Sequence, residues 1–271
     1  MKTRIVAAAV LIPILLVLVL FAPKMFASVI LAVLMSIGSY ELLYRTHLLQ
    51  HSRLVVYSSA MAFAVVMWSH VGAVHAWLLL GLLIYTLILF AEMMMDHVKV
   101  RVEMIALCYV AGFIVPFLLS ALIRILVMNT GRQVILIPFV IAFMSDGGAY
   151  FAGLRFGKHK LAPVVSPNKT IEGALGGLAA GILAMLLYTF ILDVPLKFDV
   201  SYGAAVVYGI VGCLAGELGD LCFSVIKRQT GIKDYGNLIP GHGGVLDRFD
   251  SILAVAPLIE ALLLIMPVVI L

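Results

Sequence analysis

Acids inside apolar segments are the first chemistry-bearing feature of this chain. Glu217, Asp220, Ser224 and Lys227 follow one another at spacings of 3, 4 and 3, which predicts that all four share one helical face. A carboxylate in the middle of a membrane-spanning helix costs roughly 2.5–3.5 kcal/mol on insertion scales, so something must offset it. Two carboxylates about one turn apart suit a hard, oxygen-seeking cation such as Mg²⁺, and Lys227 with Arg228 suits phosphate oxygens. The same face also reads as a salt-bridge stripe serving helix packing alone. Asp247 and Asp250 repeat the i, i+3 spacing around Arg248, just after Pro240-Gly241-His242-Gly243-Gly244. Glycines remove side-chain bulk and let backbone N–H groups approach an anion, so His242, Gly243 and Gly244 are expected to contact phosphate. Asp250 reads equally as an ordinary N-terminal helix cap.

A third group lies upstream. Asp146, followed by Gly147 and Gly148, interrupts an otherwise apolar run; Lys158-His159-Lys160 and Ser166-Pro167-Asn168-Lys169-Thr170 follow, and Glu172 opens the next apolar segment. The hydroxyls of Ser166 and Thr170, Lys169 and a helix N-terminus make a phosphate cradle. This stretch does not match the nucleotide-binding loop that ends in Gly-Lys-Ser/Thr. Lys158, His159 and Lys160 also fit surface charge facing anionic lipid heads. Nearly half of the 18 basic and 14 acidic residues fall within 145–172 and 217–250, and that concentration marks the expected site. Gly173, Gly177 and Gly181, and likewise Gly212 and Gly216, are spaced by four and read as close-packing faces without chemistry. Glu260 falls mid-segment, to pair with a base such as Arg124 or to line a cavity. Glu92, Asp96 and Glu103 read as solvated loop ends. Cys108, Cys213 and Cys222 match no metal spacing and read as small hydrophobes.

The elements that must position these groups are membrane helices. Of 271 residues, 64% are apolar and 12% charged, about half the charged fraction of a typical soluble domain. That composition excludes a soluble enzyme, a disordered chain and a nucleic-acid binder; a net charge of +4 is small and fits topology-setting charge. A helix needs about 20 apolar residues to cross the hydrocarbon core. The sequence is therefore expected to be an all-α polytopic membrane protein of about nine spans. They fall at 5–21, 25–43, 54–69, 76–95, 104–128, 134–156, 171–191, 202–226 and 251–270, the first a retained span rather than a signal peptide. With this count, fourteen Lys and Arg residues fall on the N-terminal side and four (Lys24, Arg124, Arg132 and Lys197) on the other. The positive-inside rule then puts the N-terminus in the cytoplasm and the C-terminus across the membrane. Residues 1–133 are expected to form a lipid-facing scaffold of about five helices. Residues 134–271 are expected to form a catalytic region of about four helices and two cytoplasmic loops, 157–170 and 227–250, with no soluble domain. No internal repeat is evident, which weighs against an inverted-repeat transporter.

The stretch Ser224-Val-Ile-Lys227-Arg228, then Lys233-Asp234, then Pro240-Gly-His242-Gly243-Gly244-Val-Leu-Asp247-Arg248-Phe-Asp250 resembles the signature of phosphatidate cytidylyltransferases, also called CDP-diacylglycerol synthases. Ser166-Pro-Asn-Lys169-Thr170-Ile-Glu172-Gly173 resembles that family's second characteristic block, and the resemblance covers residues 145–251. It implies the reaction of CTP with phosphatidate to give CDP-diacylglycerol and pyrophosphate, in a homodimer; the charge split puts the site on the cytoplasmic side of what is expected to be a bacterial inner membrane. It also implies Mg²⁺ on acids corresponding to Asp220 and Asp247, with Glu217 beside them, and a second cation such as K⁺. On this reading Lys227, Arg228, Lys233 and Arg248 grip phosphates with Asp220 and Asp247 as the catalytic acids. Asp146, Ser166, Lys169, Thr170, Glu172, Ser224, Asp234, His242, Gly243, Gly244 and Asp250 bind substrate. The rival readings are a CTP-dependent lipid kinase of the polyprenol or phytol type, and a non-enzymatic ion or lipid transporter.

Overall fold

A computed structural model describes residues 13–72, 75–237 and 243–270. After a helical stretch at 13–20, the elements run α1 (Lys24–Tyr40), α2 (Ser52–Val71), α3 (His75–Met95), α4 (Val102–Tyr109), α5 (Val115–Leu119), α6 (Ala121–Val127), α7 (Gly131–Val134) and α8 (Ile137–Phe156). Next come strands β1 (Lys160–Ala162) and β2 (Ser166–Thr170), α9 (Ile171–Asp193), β3 (Asp199–Val200), α10 (Tyr202–Gln229), α11 (Leu246–Phe249), α12 (Ile252–Ile265) and β4 (Val269–Ile270). Single π-helical turns, Glu41–Arg45 and Val110–Ile114, extend α1 and join α4 to α5. Pro116 lacks the N–H that a regular turn would use, which accounts for the second.

Among the described residues, seven helical stretches are long and apolar enough to cross a membrane: Lys24–Arg45, Ser52–Val71, His75–Met95, Val102–Val127, Gly131–Phe156, Ile171–Asp193 and Tyr202–Gln229. The protein is therefore a polytopic, helical membrane protein, and these seven match seven of the nine expected spans. Most of the expected first span lies outside the described residues. The expected last span is shorter than read: α12 has 14 residues, about 21 Å at 1.5 Å per residue, against a core of about 30 Å. Its end has a local cause. Pro267 disfavours helical geometry at Met266, and β4 instead pairs antiparallel with β3. A second two-stranded ribbon, β1 with β2, is likewise absent from the all-helical expectation.

The chain divides into two compact units. The first comprises Met1–Val127 and Gln229–Phe249. Here α1 packs along α2, over a core that includes Met35, Leu43, Leu54, Val66, Leu89 and Ile125. Helix α3 leaves most of its apolar length exposed, as a lipid-facing helix should. Tyr85 donates to Cys108 O and meets the Ser58 hydroxyl, which satisfies its phenol inside the bundle. Glu92 is not the solvated loop end expected: it is buried on α3, accepts from Tyr57 Oη at 3.0 Å and lies 3.6 Å from Arg53. Asp96 and Glu103 pair on the surface with Lys99 and Arg101. Arg124 donates to Ser120, Ser69 and Phe117 O and stands 4.6 Å from the Phe117 ring centre.

The second unit comprises Met128–Arg228 and Asp250–Leu271. Its dominant contact is α8 against α9, where small residues let two backbones meet. A Cβ on Gly177 would lie 2.8 Å from Ser145 O, one on Gly173 2.9 Å from Ala149 O, and one on Gly148 2.9 Å from Gly176 O. The expected glycine stripe on α9 is thus a packing face, and Gly148 belongs to it. Thr170 caps α9, its hydroxyl accepting from Gly173 N at 3.1 Å. Cys108 and Cys213 are buried small side chains as expected, whereas Cys222 is exposed.

Candidate functional site

In the second unit the charged residues of α10 meet those of β2 and of the turn before α12. Lys169 reaches Glu217 Oε1 at 2.8 Å and Asp220 Oδ2 at 2.5 Å, so one ammonium serves two carboxylates. The 217/220 spacing puts both acids on one face of α10, and the β1–β2 ribbon presents the lysine to it. Each of the three side chains is only about a quarter exposed. Burial works against the Lys169 charge, but the Asp220 and Glu217 carboxylates outweigh it and hold the ammonium above the ordinary lysine value. Farther along the same face Lys227 Nζ lies 3.7 Å from Asp250 Oδ2. Gly219 makes this approach possible: a Cβ there would lie 2.8 Å from Asp250 O and 3.0 Å from Ala254. Burial, and next the Asp220 charge, push the Asp250 carboxyl well above the usual aspartate range. The N-cap of α12 is Ser251, and Asp250 Oδ1 accepts from Ser251 N, so the capping alternative for Asp250 does not describe its position.

The flanking groups brace the ribbon. Glu172 accepts from the Lys158 and His159 amides at 3.1 and 3.2 Å and meets His159 Nδ1 at 2.6 Å. Lys160 donates to Pro167 O at 2.7 Å, and Arg228 Nε donates to Val165 O at 3.2 Å. Beside this framework lies a half-open cavity of about 510 Å³, lined by Asp146, Tyr150, Asn168, Lys169, Thr170 and Glu217 among others. Ser166 opens β2, and Ser224 sits half-buried on α10.

The first unit holds the other acid of the signature differently. Asp247 is buried, and its Oδ2 accepts from Tyr235 N at 2.8 Å and Gly244 N at 2.9 Å. The next two amides, Val245 and Leu246, each donate at 3.1 Å to the two oxygens of Glu41. The glycines therefore do not leave the Gly244 amide open for an outside anion, as the sequence suggested. They make room for the protein's own carboxylates. A Cβ on Gly244 would fall 2.5 Å from Glu41 Oε1, and one on Gly243 2.7 Å from Asp247 Oδ2; Gly243 also adopts φ +86°, which other residues rarely take. Lys233, Asp234 and Arg248 are exposed, and His242 lies outside the described residues. Glu41 is the site residue that sequence reasoning missed. Its partners stand 204 and 205 positions away, and only its place as an acid closing an apolar run hinted at a role.

Among the described residues no three His, Cys, Asp or Glu side chains gather closely enough to hold a metal ion. The Glu217–Asp220 pair nevertheless fits a hard cation: both offer oxygens, and both converge on one positive centre. Mg²⁺ commonly takes one or two protein carboxylates and completes its shell with water and substrate phosphate.

Apolar spans beside a half-buried cluster of acids and lysines define an integral membrane protein with a charged site at its helices. The chain belongs to the cytidylyltransferase family, whose sequence model it matches over residues 2–266. It is similar to phosphatidate cytidylyltransferases of Staphylococcus haemolyticus (43% identical) and Staphylococcus epidermidis (45%), each over 136 residues. That match is 50% of this chain and 51% of each relative, so the chain spans about half the length of the curated relatives it matches.

Proposed function

We propose that this chain transfers the cytidylyl group of CTP to phosphatidate, giving CDP-diacylglycerol and pyrophosphate. The observation that carries the reading is the signature from Ser224 to Asp250, in a chain of the cytidylyltransferase family whose acids and lysines gather beside apolar helices. A phosphate monoester has its second pKa near 6, so the lipid phosphate is largely ionised at neutral pH and needs positioning rather than a strong base. Its oxygen forms a bond to the α-phosphorus of CTP while the bond from that phosphorus to the α–β bridging oxygen breaks. Pyrophosphate carries away the electron pair, and no proton has to move.

In the second unit we assign phosphate contact to Lys227 and Arg228, with Ser166, Lys169 and Thr170 beside the cavity; in the first, to Lys233 and Arg248. The Lys227–Asp250 pair, at 3.7 Å, can exchange its carboxylate for a phosphate oxygen. In the second unit Glu217 and Asp220 would hold Mg²⁺; a metal-binding role for Asp247 of the first unit, and a second cation such as K⁺, are what the resemblance implies. A bound Mg²⁺ supplies neutralisation of phosphate charge. The 14-to-4 split of basic residues and the bacterial relatives support a plasma-membrane protein whose site faces the cytoplasm, and a homodimer is carried over from the resemblance.

The test is incubation of purified protein with α-labelled CTP and phosphatidate. Label is expected in the lipid, dependent on Mg²⁺; label recovered in CDP would identify a kinase instead.

A further inference from the structure

From its contacts we infer that Glu41 is a positioning residue for this reaction: it fixes the turn that presents Asp247. The inference rests on the function proposed above. Glu41 is 3% exposed, at the π-helical turn that closes α1. Instead each of its oxygens accepts one backbone amide, from Val245 and Leu246. With Gly244 N on Asp247, three successive amides of the signature turn are spent on two carboxylates. The surroundings are shaped to Glu41. A Cβ on Gly244 or on Gly236 would run into its carboxylate, and Leu246 packs on Gly38 of the same helix, where a Cβ would stand 3.1 Å away. Two glycines and a helical irregularity thus converge on one acid that touches no reacting atom in the proposed chemistry. π-turns are frequent at functional sites.

The experiment uses the full chain in detergent, with α-labelled CTP and phosphatidate. Glu41→Gln keeps size but sets an NH₂ donor against one backbone donor, so one of the two bonds is lost. The expected result is a fall in kcat of about tenfold or more with KM for both substrates within about twofold, the size of one lost charged hydrogen bond. Hydrogen exchange at the 244–246 amides should speed up while the rest of the chain keeps its protection. Gly244→Ala should lower turnover in the Glu41 background and add little to Glu41→Ala, because the clash it creates is with the removed carboxylate. Unchanged kcat, or faster exchange spread evenly over the molecule, would overturn the inference. If Glu41→Gln does not insert, Glu41→Asp, which keeps the charge and shortens the reach, is read by the same criteria. Absence of label transfer in the unmodified protein overturns the functional reading itself, and is told apart because it needs no variant.

Discussion

Two acids that the resemblance places at one site, the buried Asp247 and the half-buried Asp220, are neutralised in opposite ways. Asp247, in the first unit, is held by backbone amides, as is its neighbour Glu41. Asp220, in the second, is held by the ammonium of Lys169, which it shares with Glu217. Backbone amides are fixed by the chain's path and leave only if the turn unfolds. A lysine on four rotatable bonds leaves at the cost of a rotamer change, and its place suits a cation or its charge a phosphate. The first arrangement shapes; the second can be exchanged. The difference teaches that finding carboxylates in a membrane site does not reveal which of them are fixed in direction and which can change partner. The partner atoms do.

The sharpest way to break that comparison is to remove each acid and read turnover and stability separately. Asp220→Asn is expected to lower Mg²⁺-dependent label transfer by at least about 100-fold, within the several kcal/mol a catalytic cation supplies. Its unfolding free energy should change by less than about 1 kcal/mol, because Lys169 retains Glu217 and Asp250 loses a like-charged neighbour. Asp247→Ala should instead cost about 2–4 kcal/mol of stability besides activity, since two buried amide donors lose their acceptor. Equal stability losses in denaturant titrations of the two variants would erase the distinction. A smaller effect sharpens the cation assignment without any turnover. In Lys169→Ala the two carboxylates lose their ammonium, so millimolar Mg²⁺ should raise the unfolding temperature by several degrees more than in the unmodified protein, where it competes with Lys169. An equal Mg²⁺ response would separate the metal from this pair.

What was legible in the sequence follows the range of the physics. Helical spans were readable because a 20-residue apolar requirement is local, and the Glu217–Asp220–Lys227 face because helical period is local. Where the spacing rule met Lys169 it could not choose a partner: a phosphate and two carboxylates 48 and 51 positions on are equally plausible for a lysine in a polar loop, and only the fold brings the latter to 2.8 Å or less. The glycine turn hides its partner for the same reason. Glycines announce that something comes close to the backbone, but not that the close group is Glu41 from the first unit's opening helix. Glu92 looked solvated because its rescuers, Tyr57 and Arg53, sit on another span.

Acidity gives the smallest expected effect and a direct view of the exchangeable side. Asp250 is buried beside Asp220, and the two causes together raise its folded pKa to about 7, above the ordinary aspartate value near 3.9. Between those values the folded protein binds the proton more tightly than the unfolded chain, so unfolding releases it and stability falls as pH rises. The contribution is fully present below the unfolded pKa and is lost as pH passes through the folded one, with a slope no steeper than about 1.4 kcal/mol per pH unit. Asp250→Asn should flatten that segment of the metal-free stability curve between about pH 4 and 7, measured by denaturant titration at several pH values. An unchanged slope in Asp250→Asn would mean that Lys227, at 3.7 Å, already balances the Asp250 charge, and that the second unit's acids are held as firmly as the first unit's.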